Sequence, residues 1–145
     1  MYENLIKEIL SYFSITKPPV KPDLIAYGLG IDITVEKLPE KVSGLLYLSP
    51  KIQVIIVNRE HPRVRQRFTV AHELGHFFLH QKNPVYTEYL DKEEDTFEYE
   101  ANTFAGNLLL PDFMLKKYIY LPLEKIADIF FVSKSTVEHR LKYFK

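Results

Sequence analysis

The chain has 145 residues, 46% of them hydrophobic and 26% charged, values ordinary for one folded domain. Nineteen basic residues balance nineteen acidic ones, so no global field favours nucleic acid or an acidic membrane surface. Cysteine is absent, which excludes disulfides and thiolate metal sites; any zinc must be held by histidine and carboxylate. The start, MYENLIKEILSYF, interleaves Glu3, Lys7 and Glu8 with apolar residues and lacks a signal-peptide pattern. No window approaches 18 uncharged apolar residues. The expectation is a cytoplasmic protein without a membrane span.

Leu5, Ile6, Ile9, Leu10 and Phe13 have helical spacing, and Lys17-Pro18-Pro19 ends that helix. Pro22 to Leu29 reads as a second short helix, with Pro at its start and Gly28 and Gly30 at its end. Ile31 to Leu38 alternates as a half-buried strand. Ser43 to Leu48 and Ile52 to Val57 are two further β-rich runs, and Ser49-Pro50-Lys51 suits the turn of a hairpin between them. Three strands in a small antiparallel sheet are therefore expected.

Pro62 suits the first turn of the next helix, which carries a basic cluster, Arg63, Arg65 and Arg67. Ion pairs to downstream acids are the preferred reading of that cluster, with Arg67 the most structural of the three. RFTVAHELGHFFL follows, from Arg67 to Leu79, and contains His72-Glu73-Leu74-Gly75-His76. Positions i and i+4 of a helix share a face, so His72 and His76 can offer imidazoles to one point. Zinc accepts neutral imidazole nitrogen at about 2.0–2.1 Å. Glu73 is placed to act as the general base of a hydrolase. Phe68, Ala71, Leu74, Phe78 and Leu79 add an apolar stripe beside the histidines. A mid-helix Gly costs about 1 kcal/mol against Ala, so Gly75 suggests a close approach by another chain segment or a ligand.

Residues 81–95 are polar and read as containing a loop, and residues 88–100 hold seven carboxylates. From Thr96 the pattern is helical, with Phe97, Ala101, Phe104, Ala105 and Leu108 on one face, until Pro111-Asp112 breaks it. A short helix from Asp112 to Tyr120 follows. Leu123 to Phe144 resembles a helix-turn-helix pair, with Ser133 or Ser135 as the cap of its second helix. From Lys116 onward seven basic residues stand against four acids counted from Asp112, a surplus too mild to make DNA contact the expectation.

A catalytic zinc usually has three protein ligands. His80 lies about 12 Å along the helix axis from His72, too far for three side chains in a row to converge. The metzincin pattern is absent, because Leu79 and Lys82 stand where its Gly and His belong. A carboxylate from the next helix remains. Glu98 and Glu100 flank its apolar face on opposite sides, and helical phase does not choose between them.

RQRFTVAHELGHFFLH (Arg65 to His80), IIVN (Ile55 to Asn58) and EYEANTFAGNLLLP (Glu98 to Pro111) together resemble the ImmA/IrrE family of zinc-dependent metallopeptidases. The resemblance covers most of the chain. It implies His72 and His76 as zinc ligands, Glu73 as catalytic base and Glu100, in the E-A-N triplet, as third ligand, with Glu98 second in line. It implies an intracellular protease that cuts a helix-turn-helix repressor and so relieves repression of a mobile element, a prophage or a stress response. One departure is Gly106-Asn107, where the family more often has Ala and Glu. The rival reading is a non-catalytic repressor- or DNA-binding regulator with a structural metal site; the intact Glu73 argues against it.

The expected fold is α+β: residues 1–60 as helices and sheet, 61–111 as the zinc-site helices and 112–145 as the helix pair, all in one metallopeptidase domain. No residue is singled out for the oxyanion; Tyr86, Tyr89 and Tyr99 are among the tyrosines that could reach in, and packing is the preferred reading of each. Oligomeric state is not legible.

Overall fold

The computed structural model describes residues 2–80, 85–89 and 96–144, with side-chain surroundings for all of these except 85–89. The tyrosines at 86 and 89 and the carboxylates at 88, 91 and 93–95 thus lie outside the residues whose side chains are described.

Two helices, α1 (Glu3–Tyr12) and α2 (Pro22–Gly28), precede three strands, β1 (Asp32–Glu36), β2 (Val42–Leu48) and β3 (Gln53–Asn58). The long helix α3 (Arg63–Leu79) is followed by strand β4 (Val85–Tyr89) and helix α4 (Thr96–Leu109). The chain continues through α5 (Asp112–Leu115), α6 (Leu123–Phe130) and α7 (Lys134–Lys142). The α+β class is as expected, and so is the β2–β3 hairpin, closed by Ser49 N–H donating to Ile52 O at 2.8 Å.

The sheet departs from expectation in two ways. It has four strands in the order β1-β3-β2-β4, and β1 runs parallel to β3, so it is mixed rather than antiparallel. β1 reaches the far side of β3 because the link between β1 and β2 crosses the end of the sheet. Asn58, fully buried, holds that crossing: its Nδ2 donates to Val42 O at 2.8 Å and Pro39 O at 3.1 Å, and its Oδ1 accepts from Leu38 N–H at 3.3 Å. The fourth strand lies in the polar stretch read as containing a loop, paired antiparallel to β2.

Helix α3 is the centre of the molecule. Eight consecutive residues, Thr69 to His76, are buried, so this part is covered all round rather than along one stripe. The sheet covers one side through β2 and β3, and α4 and α2 cover the others. Leu46, Ile55, Ala71, Leu74, Phe104 and Leu108, all 0% exposed, are core residues from these layers.

Gly75 sets the spacing of α3 and α4. A Cβ there would lie 3.0 Å from Ala101 Cα and 3.1 Å from Ala101 O, both backbone atoms that cannot swing aside. The close approach expected at Gly75 is therefore that of α4. Overpacking of this kind costs about 1–3 kcal/mol. Gly75→Ala is expected to lower the urea midpoint accordingly, despite its gain in helix propensity.

Arg67 ties α3 to the end of α6. Its Nη1 donates to Phe130 O at 3.2 Å and to Phe131 O, its Nη2 donates to Val20 O, and its guanidinium lies 4.8 Å from the Phe131 ring centroid. Two of these partners, the Phe130 and Phe131 carbonyls, are ones that the end of α6 leaves unmatched, and the third, Val20 O, lies in the link before α2. In the helix pair, Ser133 is the cap, its Oγ accepting from Thr136 N–H at 3.1 Å. Arg140, counted above among the basic residues, is 7% exposed; it donates to Leu110 O at 3.1 Å and pairs with Asp112. It therefore adds nothing to a basic surface on α7.

Candidate metal centre

His72 and His76 lie one turn apart on α3, with ring centroids 4.8 Å apart. Glu98, in the first turn of α4, reaches across to both. Its Oε2 is 3.2 Å from His72 Nε2 and its Oε1 is 3.0 Å from His76 Nε2. One ligand atom from each of the three residues lies within 4.8 Å of the others.

These separations can be compared with metal geometry. Ligand atoms about 2.0–2.1 Å from a tetrahedral ion stand about 3.3 Å apart. The observed 3.0 and 3.2 Å are close to that spacing. The protonation pattern agrees. His72 Nδ1 is 2.7 Å from Asn102 Oδ1, an acceptor, so Nδ1 donates there, and in the neutral ring the Nε2 lone pair then faces the shared point. A carboxylate faces the same point. Such a convergence requires a proton or a cation between the groups, and two nitrogens with one carboxylate oxygen form a donor set that suits zinc.

Glu100, expected as third ligand, is not part of this group. Its Oε1 is 2.8 Å from His80 Nε2, on the outer side of the histidines. The distances favour Glu98 over the expected Glu100, and the reason is the rotation of α4 about its axis. Gly75 brings Ala101 against α3, and Glu98, three residues before Ala101, shares that face. Glu100 projects to the side, where it meets His80.

His80 stands behind His76 rather than at the shared point, its Nδ1 2.9 Å from His76 Nδ1. Asn102 was not singled out by sequence. The signal available was its spacing of four from Glu98, which places both on the α4 face that meets the histidines.

Glu73 is fully buried between α3 and the sheet. Gly44 of β2 lies above it: a Cβ at Gly44 would be 2.6 Å from Thr69 Cγ2, 2.7 Å from Ile56 O and 3.8 Å from Glu73 Oε2. A side chain at residue 44 would therefore force β2 away from the helix segment bearing Glu73. Of the tyrosines considered for the oxyanion, Tyr99 is 49% exposed and has no described contact to the ligand group.

Fold and geometry together give an α+β domain in which a glutamate of α4 meets the two histidines of an H-E-x-x-H helix. Residues 26–142 match the family described as the IrrE N-terminal-like domain, and the chain belongs to that family. Among curated relatives, it is 32% identical over 107 residues to a Bacillus subtilis protein named metallopeptidase ImmA, covering 70% of this chain. It is 31% identical over 99 residues to immunity region protein 2 of Bacillus phage phi105, itself uncharacterized, covering 67% of this chain. Each match spans 63% of the relative's own length. A solved structure of a Mycobacterium tuberculosis transcriptional regulator superposes with a TM-score of 0.70 over 96% of this chain and 46% of its own, at 19% identity. That likeness speaks to the fold alone. Among the described residues, no helix is long and apolar enough to cross a membrane.

Proposed function

We propose that the chain is a zinc-dependent endopeptidase whose ligands are His72, His76 and Glu98 and whose general base is Glu73. The observation that carries this reading is the convergence of two imidazoles and a carboxylate beside a buried glutamate of the same helix. A zinc ion held there supplies Lewis acidity toward the scissile carbonyl and toward water. Glu73 takes a proton from the attacking water and returns it to the leaving amine. Asn102 holds His72 in its ligating orientation.

β4 ends the strand order next to β2, and its residue 88 pairs with Gly44, beside Glu73. An extended substrate segment added to that edge would run about 4.8 Å beyond β4, held by main-chain hydrogen bonds. The substrate we propose is a helix-turn-helix repressor, cut to relieve repression of a mobile element or a stress response. This reading draws support from family membership and from the names of the two relatives, one an immunity region protein of a phage.

The test is incubation of the zinc-loaded protein with candidate repressors, followed by intact-mass analysis. Two fragments whose masses sum to the repressor plus one water are expected. A metal-loaded protein that binds a repressor and leaves it whole would favour a non-catalytic regulator.

A further inference from the structure

The chain His76–His80–Glu100 is not used by the chemistry above. Glu100 Oε1 lies 2.8 Å from His80 Nε2, and His80 Nδ1 lies 2.9 Å from His76 Nδ1. A carboxylate only accepts, so His80 Nε2 must donate. A neutral His80 then has Nδ1 as its acceptor, and His76 Nδ1 must carry the proton that fills the gap. His76 is left with its lone pair on Nε2, the atom 3.0 Å from Glu98 Oε1. The direction of each hydrogen bond follows from the one before it, beginning at Glu100.

Packing holds the chain in place. Helix α3 ends at Leu79, and His80 is its C-cap, with φ −132° and ψ 36° and its N–H donating to His76 O at 2.7 Å. Leaving helical geometry at that residue lets its ring turn back onto His76. Phe97 stacks on the His80 ring, with centroids 4.3 Å apart and planes 25° apart. Phe97 and Glu100 are three residues apart on α4, so one face of that helix covers the ring and takes its edge. The His80 side chain is 3% exposed and that of Glu100 is 37% exposed.

We propose that His80 and Glu100 are a positioning pair for the metal: they fix the tautomer and ring orientation of His76 without ligating. Asn102 does the same for His72 in one step. The inference rests on the proposed metal site and assigns it an outer layer of two residues on the His76 side.

The test compares wild type, Glu98→Ala, Glu100→Ala, Glu100→Gln and His80→Ala by zinc affinity, measured in competition with a chelator. Imidazole nitrogen NMR of the metal-free proteins reads the His76 tautomer directly. Thermal melting of the same samples checks folding, and the partly exposed Glu100 serves if His80→Ala does not fold. Loss of such outer partners weakens metal binding about 10–100-fold. Glu100→Ala and His80→Ala should show that loss while still binding one zinc, and Glu100→Gln, which keeps an acceptor oxygen, should lose less than Glu100→Ala. His76 Nδ1 should be protonated in wild type and less so in Glu100→Ala. Wild-type affinity and an unchanged His76 tautomer in Glu100→Ala, with zinc lost in Glu98→Ala, would overturn the positioning pair alone. Undiminished zinc binding in Glu98→Ala would overturn the metal site and this inference with it.

Discussion

Glu73→Gln is expected to slow cleavage by about 10²–10⁴-fold while leaving zinc bound. Glutamine occupies nearly the same volume, so the buried site between α3 and β2 keeps its packing. The substitution removes the group that takes and returns the proton. General acid–base catalysis contributes about 10²–10⁴-fold, and kcat should fall by that factor. KM should change little, because Glu73 is not proposed to bind the substrate backbone. Steady-state kinetics on a peptide spanning the cleavage site, paired with zinc content, separates the two quantities. Equal activity in Glu73→Gln and wild type would remove Glu73 from the mechanism.

The second large effect is expected at Glu98. Glu98→Ala should leave two imidazoles and open positions, and zinc should be lost on dialysis at neutral pH. Glu100→Ala should retain close to one zinc per chain under the same conditions. The contrast is sharp because both are glutamates of one helix, two residues apart, with opposite placements: Glu98 meets His72 and His76, and Glu100 meets His80. Elemental mass spectrometry of the three dialysed proteins reads it directly. Zinc retained by Glu98→Ala and lost by Glu100→Ala would return the third ligand to Glu100.

That contrast also marks what sequence could and could not supply. Leu5, Ile6, Ile9 and Leu10 reveal α1 by their spacing, and Pro22 and Gly28 bound α2, because helix periodicity and its punctuation are local. The His72–Glu73–His76 spacing is local for the same reason. Choosing between Glu98 and Glu100 is not local: it depends on how α4 is rotated against α3. Gly75 fixes that rotation through Ala101, a contact between residues 26 apart in the chain.

The sheet divides in the same manner. The β2–β3 hairpin is legible because Ser49-Pro50-Lys51 turns the chain within a few residues. The parallel pairing of β1 with β3 is not, because β1 could take either side of the hairpin. Asn58 decides it by bonding Leu38, Pro39 and Val42 across the end of the sheet. β4 gave little signal because Val85 to Tyr89 sits in a polar, acid-rich stretch; its pairing to β2 defines it. Arg67 is structural as expected, but through the carbonyls of Val20, Phe130 and Phe131 rather than through downstream acids, and these partners are too distant in sequence to be read from it.

The most direct test of the central claim is a zinc-edge anomalous difference map from a crystal grown with zinc. One peak should appear between α3 and α4, about 2.0–2.2 Å from His72 Nε2, His76 Nε2 and a Glu98 carboxylate oxygen, with none at Glu100 or His80. A peak bound by His80 and Glu100, or no peak near His72 and His76, would contradict the account.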